Sequence, residues 1–230
     1  MKILLIDTCG AIGSLALADT ARSTAIASAS LPGRSAAERL VPTIRSLAAD
    51  SGIILGELDA VAVVHGPGSF TGVRVGLSAT KGLCHALNLP LVAISRLAVL
   101  AGQGVPHLSP FVGDEWVIRA LLDAGRGEFY SGLYADGVCL RETLLTRDHL
   151  LAELRTDPRQ TLLVCEPVVA QSLAALTTQF VVEPTAADAL PLALARIQQH
   201  AFDDPTTIDA NYLRRSDAEI FAKPISAAIP

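Results

Sequence analysis

Aromatic residues are scarce in this chain. Phe, Trp and Tyr together make up 4% of its 230 residues, with one Trp, and there is a single Met. A core must therefore be assembled from Leu, Ala, Val and Ile, and a hydrophobic content of 50% supplies enough of them. Charge is also sparse, at 18% of residues, and its balance is acidic, with a formal net charge of −5. A free-standing nucleic-acid binder would show a basic face, so that class is disfavoured, whereas a nucleic acid held mainly by a partner is not excluded. No uncharged apolar run reaches the ~18 residues of a membrane span. The opening run Met1 to Ile6 is too short for a secretory leader and is interrupted by Asp7. Cys9, Cys84, Cys139 and Cys165 form no Cys-x-x-Cys pair, and reduced, buried thiols in a cytoplasmic protein are expected. His65, His85, His107, His149 and His200 are never four apart and never at ligand spacing from a Cys, so no metal site is predicted.

What is present centres on Val61 to Leu87, VAVVHGPGSFTGVRVGLSATKGLCHAL. Val61 to Val64 reads as a buried strand. His65 to Gly72 is a glycine-rich loop, and Val73 to Leu87 reads as a helix of about four turns. Gly72, Gly76, Ala79, Gly82 and Ala86 recur at steps of three or four and form a flat stripe. Glycine inside a helix costs about 1 kcal/mol against Ala, so close approach of another backbone is expected to offset it. That backbone can belong to this chain or to a second one. On the second reading Gly76→Leu or Ala79→Leu would weaken assembly and leave the monomer folded. The loop has two readings as well: its amides can cradle an anion, or it can be a rigid turn. No Lys-Ser or Lys-Thr pair closes a P-loop, and no Gly-x-Ser-x-Gly elbow surrounds Ser69.

Before this stretch, Lys2 to Asp7, Gly13 to Asp19 and Thr24 to Ser30 read as an antiparallel meander. Ser35 to Ala49 reads as a helix that Pro42 should kink or delay. After it come a strand at Leu91 to Ile94 and a short helix from Arg96 to Ala101. Gly102 to Gly113, with three Gly and two Pro, is the expected boundary between lobes 1–101 and 102–230. The second half reads as strands at Trp116 to Leu122, Glu128 to Ala135 and Val138 to Leu145. A short helix at Leu150 to Leu154, a strand at Thr161 to Cys165, and helices at Val169 to Thr177 and Thr185 to His200 follow, the last kinked at Pro191. The tail from Ile208 to Pro230 is expected to lie on the surface. A faint repeat links the halves: each has an apolar strand ending in Asp (Asp7, Asp123), a Gly-containing turn and an alternating strand.

HGPGSFTGVRVG followed by a helix resembles the signature segment of the TsaB (YeaZ) family, which usually reads Arg-Gly-Pro-Gly-Ser-Phe-Thr-Gly, then Leu or Val, Arg, Ile or Val, Gly. His65 stands where Arg is usual. LLDAGRGEFYSGLY is similar to a second family segment through Arg126, Gly127, Glu128 and Tyr130, with Gly125 replacing an Arg. Tyr212-Leu213-Arg214 matches a recurring triplet near the C-terminus. The resemblance implies an α/β, two-lobed actin-like (ASKHA, ribonuclease-H-like) fold with mixed sheets flanked by helices, which the internal repeat also suits. It further implies a non-catalytic subunit of the machinery that makes threonylcarbamoyladenosine on tRNA, one that binds TsaD and helps recruit the ATPase TsaE. The signature loop is then Gly66, Pro67, Gly68, Ser69, Phe70, Thr71 and Arg74. The expected partner or homodimer surface is Gly72, Val73, Gly76, Leu77, Ala79, Thr80, Gly82, Leu83 and Ala86. ATP or ADP is expected only at a partner interface, and tRNA only through the complex, although Arg214 and Arg215 could bind an acidic partner or RNA.

An enzyme of the same fold is the alternative: an actin-like ATPase or kinase using Asp7 and Asp123, since hard cations prefer carboxylate oxygens. Against it, Asp7-Thr8-Cys9-Gly10 is followed by Ala11 and Ile12, which would crowd a phosphate, and capping of the local turns is the other role open to the two Asp residues. The His-x-x-x-His metal motif of TsaD is replaced by Arg34-Ser35-Ala36-Ala37-Glu38, so an independent carbamoyltransferase is not expected. A peptidase is a third class, with no nucleophile–base pair to support it.

Overall fold

The computed structural model describes residues 1–20, 24–32, 35–104 and 117–214. Arg34, Trp116, Arg215 and most of the expected lobe boundary lie outside these residues. Strands β1 (Lys2–Asp7), β2 (Ile12–Asp19) and β3 (Thr24–Pro32) form an antiparallel meander. β4 (Ala60–Val64) runs parallel to β1 on its other side, and β5 (Leu91–Ile94) parallel to β4. The sheet order is β3-β2-β1-β4-β5. Central position explains the composition of β1 and β4: both faces are covered, so Ile3 to Ile6 and Ala60 to Val64 are apolar without alternation.

The second half repeats this plan. β6 (Val117–Gly125), β7 (Glu128–Ala135) and β8 (Val138–Thr146) are antiparallel, then β9 (Thr161–Val164) and β10 (Thr178–Phe180) add in parallel. Its order is β10-β9-β6-β7-β8. With β6 matched to β1, the two sheets have the same order and strand directions, and Asp7 and Asp123 occupy equivalent places near the ends of the matched strands.

Helices α1 (Ala36–Asp50), α2 (Phe70–Leu87), α3 (Arg96–Gly104), α4 (Arg147–Thr156), α5 (Pro167–Ser172) and α6 (Leu190–Gln198) flank the sheets. α1 buries Leu40, Ile44 and Leu47, and Pro42 sits within it without ending it. α2 starts at Phe70, three residues earlier than expected, because the Ser69 hydroxyl accepts the Gly72 amide and caps the helix there. Thr185 and Asp188 form a capping box on a short 3-10 turn, so α6 begins at Leu190 with Pro191 in its first turn and no kink is needed. α5 stops at Ser172, and β10 beyond it was not anticipated.

Each sheet draws a helix from the far side of residues 105–116. Leu97 and Leu100 of α3 are fully buried in a cluster with Ile118, Leu122 and Leu163 of the second sheet. Ala189, Leu190, Ala193 and Ile197 complete the core of the first. Burial of each such Leu is worth about 1.5–3 kcal/mol, so the exchange ties the halves together. Of the expected surface tail, the described part up to Arg214 forms a strap with the segment before it. The Asp203 amide bonds to the Leu91 carbonyl and the Asn211 amide to that of His65. Asn211 Nδ2 also donates to Glu142 of β8 (2.6 Å), and Arg214 pairs with Glu128 of β7 (2.6 Å).

Two glycines of α2 should respond to substitution with opposite sign. A Cβ at Gly72 would fall 2.0 Å from the Thr8 carbonyl oxygen, a backbone atom, whereas one at Gly82 would meet nothing within 4 Å. Gly72→Ala is expected to destabilise by about 1–3 kcal/mol and Gly82→Ala to stabilise by up to about 1 kcal/mol. Urea unfolding midpoints of the two variants measure this directly.

Candidate functional site

The signature loop is shaped by contact with the turn that follows β1. Thr8 Oγ1 donates to the Gly72 carbonyl (2.6 Å), and the Ser69 amide donates to the Cys9 carbonyl (2.9 Å). A Cβ at Gly68 would lie 2.5 Å from the Cys9 carbonyl oxygen, and one at Gly76 2.3 Å from Thr8 Oγ1. At the start of the glycine stripe, the backbone that comes close to Gly72 and the side chain that comes close to Gly76 therefore belong to this chain. The amides of Ser69, Gly72 and Val73 are all engaged internally, which is the pattern of a rigid turn.

This corrects part of the expected partner surface. Val73, Gly76, Leu77 and Thr80 are buried against the chain's own sheet, and Gly72 faces Thr8. The small-residue stripe and the apolar stripe overlap on the inner side of α2, so spacing alone could not separate them. Gly76→Leu would drive side-chain atoms into Thr8 and disturb the monomer itself. Ala79 and Leu83 are half-buried, and Gly82 and Ala86 are exposed.

Between the lobes lies a cleft of about 770 Å³, lined by the Thr8–Ala11 turn, the start of α2, Arg96, Asp123, Glu166 and Glu183. Arg96, at the first position of α3, was not singled out from the sequence. Its amide donates to the Gly66 carbonyl (2.8 Å), and its side chain is 3% exposed. Nη2 donates to Glu183 Oε1 (2.5 Å), Nη1 lies 3.8 Å from Glu166 Oε1, and Nε has no partner. A Cβ at Gly10 would be 2.5 Å from Glu183 Oε1 and 2.8 Å from Arg96 Nη2. The ion pair thus packs closely over Gly10 of the turn.

Asp7 is 4% exposed and accepts the Cys9 amide (2.8 Å). Burial pushes its pKa up, opposed by the nearby Arg96 charge. Glu166 is also raised by burial, opposed by the Asp123 amide that donates to it and by Arg96. Asp123 is exposed and accepts the Gly125 amide (2.9 Å). Both Asp residues therefore fold their own turns; Asp123 lines the cleft, and Asp7 is buried next to the Thr8–Ala11 turn that lines it. Among the described residues no group of three or more His, Cys, Asp or Glu could hold a metal ion. No helix among them is long and apolar enough to cross a membrane.

Outside this cleft, Phe70, Arg74 and Tyr212 form a stack. The Arg74 guanidinium lies 3.7 Å from the Phe70 ring centroid, Arg74 Nε donates to the Tyr212 hydroxyl (2.7 Å), and the two rings are 5.6 Å apart. Arg214 also donates to the Ala124 carbonyl (2.8 Å), so this Arg is committed to holding the strap.

Two sheets of one repeated order, with a cleft between them, define an actin-like protein. The fold is shared with an inorganic polyphosphate/ATP-glucomannokinase from Arthrobacter, at a TM-score of 0.51 and 14% identity over 86% of this chain and 99% of that one. The chain belongs to the TsaB/YeaZ family. The family model described as "TsaD: tRNA N6-adenosine threonylcarbamoyltransferase" matches residues 30–221. YeaZ from Pseudomonas aeruginosa superposes with a TM-score of 0.73 at 26% identity, covering 92% of this chain and 99% of that one. The tRNA threonylcarbamoyladenosine biosynthesis protein TsaB of Escherichia coli is 36% identical over 58% of this chain and 55% of its own length. An uncharacterised protein of Mycobacterium tuberculosis is 34% identical over 82% of this chain and 80% of its own length.

The cleft charges set a pH dependence. Asp7 and Glu166 have raised folded-state pKa values, so the folded protein holds protons that the unfolded chain releases. Their contribution to stability is therefore full below the ordinary carboxylate range near about 4 and falls as pH rises through the raised values. Arg96→Met removes the cation that limits this loss. It is expected to cost about 3–5 kcal/mol near neutrality and clearly less at acid pH. Urea unfolding at about pH 5 and about pH 8 tests the sign, and an equal loss at both would mean that these carboxyls do not carry it.

Proposed function

We propose that this chain is a non-catalytic subunit in the synthesis of threonylcarbamoyladenosine on tRNA, binding a TsaD-like catalytic subunit and helping to recruit a TsaE-like ATPase. The pathway is drawn from the names of the relatives. The non-catalytic role rests on one observation: the pair of buried Arg96 with half-exposed Glu183 packs over the turn after Asp7. A substrate phosphate would have to displace that pair, and one guanidinium faces Asp7, Asp123, Glu166 and Glu183, so a further anion enters an unfavourable field.

The partner surface, on this reading, is the outer side of α2 where Ala79, Gly82, Leu83 and Ala86 remain half-buried or exposed. Small side chains there would let a partner helix approach closely. A homodimer through the same surface would compete with the mixed complex. At the interlobe cleft nucleotide would enter only at a complex interface, and tRNA would be engaged through the complex.

An ATPase or kinase is the second reading, favoured by the equivalent places of Asp7 and Asp123 near the ends of β1 and β6, with Asp123 lining the cleft. Two measurements separate the readings. Size-exclusion chromatography with light scattering, alone and with a TsaD-like subunit, is expected to give a mixed complex that Ala86→Arg weakens at least tenfold with unchanged circular dichroism. Magnesium-ATP is expected to give the isolated chain no rise in melting temperature that Asp7→Asn abolishes. A monomer indifferent to the TsaD-like subunit, together with a nucleotide-dependent rise in melting temperature abolished by Asp7→Asn, would replace the subunit reading with the enzyme.

A further inference from the structure

A second pocket, of about 490 Å³, opens between the signature loop, the β6–β7 turn and the C-terminal strap. We propose that it is a nucleobase-binding site, which stacks a base on Phe70 and Tyr212 and meets the attached phosphate with Arg126. This inference goes beyond the subunit role and does not depend on it.

Composition is the first argument. The chain has ten aromatic residues in 230, from six Phe, three Tyr and one Trp. Three of the ten, Phe70, Tyr130 and Tyr212, line this one pocket. Anchoring the strap accounts for the contact of Tyr212 with Phe70 and Arg74, but rings that serve only as an anchor would be covered. Phe70 remains 48% exposed and Tyr212 40% exposed. Exposed π-faces held rigidly in a concave site are what base stacking requires. The guanidinium of Arg74 at 3.7 Å from the Phe70 centroid and its hydrogen bond to the Tyr212 hydroxyl fix both rings before any ligand arrives.

Charge is the second argument. The protein carries a net charge of −5, yet among the described residues Arg126 and Arg214 line the pocket and no Asp or Glu does. The interlobe cleft has the opposite balance, one Arg among several carboxylates. Arg214 is held by Glu128 and the Ala124 carbonyl. Arg126 sits exposed at the tip of the β6–β7 turn with φ +58°, on the second lobe, and so faces the aromatic wall supplied by α2 and the strap. An aromatic ring with an attached anion matches this division, with the phosphate interaction weakening as salt rises.

Two sources share that chemistry, a free mononucleotide and an unstacked base of a single-stranded RNA. The full-length protein should be titrated with AMP, with ribose 5-phosphate, and with a fluorescently labelled single-stranded RNA decamer of mixed sequence. AMP or the RNA is expected to bind, and ribose 5-phosphate at least tenfold more weakly than AMP. Phe70→Ala should weaken binding of the preferred probe roughly 5- to 150-fold, the range of one stacked base. Arg126→Ala, on the other lobe, should weaken it too and flatten its salt dependence; it serves independently if Phe70→Ala does not fold. RNA bound at least a hundredfold tighter than AMP assigns the site to a strand, and comparable binding assigns it to the free nucleotide. The proposal is overturned if no probe binds at millimolar concentration, if ribose 5-phosphate matches AMP, or if both variants bind as the parent does.

Discussion

The approach of the turn after β1 to the first turns of α2 is the contact on which the rest of the molecule depends. It consists of a Thr8 hydroxyl on the Gly72 carbonyl and a Ser69 amide on the Cys9 carbonyl, with no side chain at Gly68, Gly72 or Gly76 to keep the backbones apart. Because β1 is the central strand and α2 the longest helix, this contact sets the height of α2 on the sheet. It also sets where the loop runs, and hence one wall of the interlobe cleft and one wall of the aromatic pocket. A helix with three interior or terminal glycines loses intrinsic stability, and the close packing it permits is what offsets that loss.

Arg96 imposes a second constraint. A guanidinium with an unsatisfied Nε, buried beside Asp7, Glu166 and Glu183, is an expensive arrangement whose Coulombic attraction offsets its desolvation only in part. It joins elements far apart in sequence: the amide holds Gly66, while the side chain reaches residues after β9 and β10. Part of the cleft's negative charge is thereby offset from within.

Much of the fold was legible locally because local signals agreed with it. Apolar runs marked β1 and β4, the matched strand–turn–strand patterns ending in Asp7 and Asp123 pointed to a duplication, and the resemblance of His65 to Gly76 led to the family. Errors arose where the deciding contacts are distant. β10 has three residues and exists only by pairing with β9. The strap reads as a polar tail because its anchors, His65, Arg74 and Glu142, lie some 70 to 145 residues away. Arg96 carries no motif; its role arises from three-dimensional convergence with carboxylates from both halves. The start of α2 was different, since Ser69 ahead of Gly72 was a readable cap, and the loop's glycines outweighed it. The stripe on α2 left two readings open for a geometric reason: small residues at helical spacing signal close approach without saying whose backbone approaches.

The exchange of helices between the two sheets bears on how the chain matures on the ribosome. The first sheet is synthesised by residue 94, but its core is finished by residues 186–197, which emerge when the chain is nearly complete. The apolar face of α3, with Leu97 and Leu100, likewise waits for β6 and β9. Folding from the N-terminus, domain by domain, is the usual course for larger chains. Here the first half must remain unfinished through most of translation, with exposed apolar surface for chaperones to shield, and closure of both cores becomes one late event.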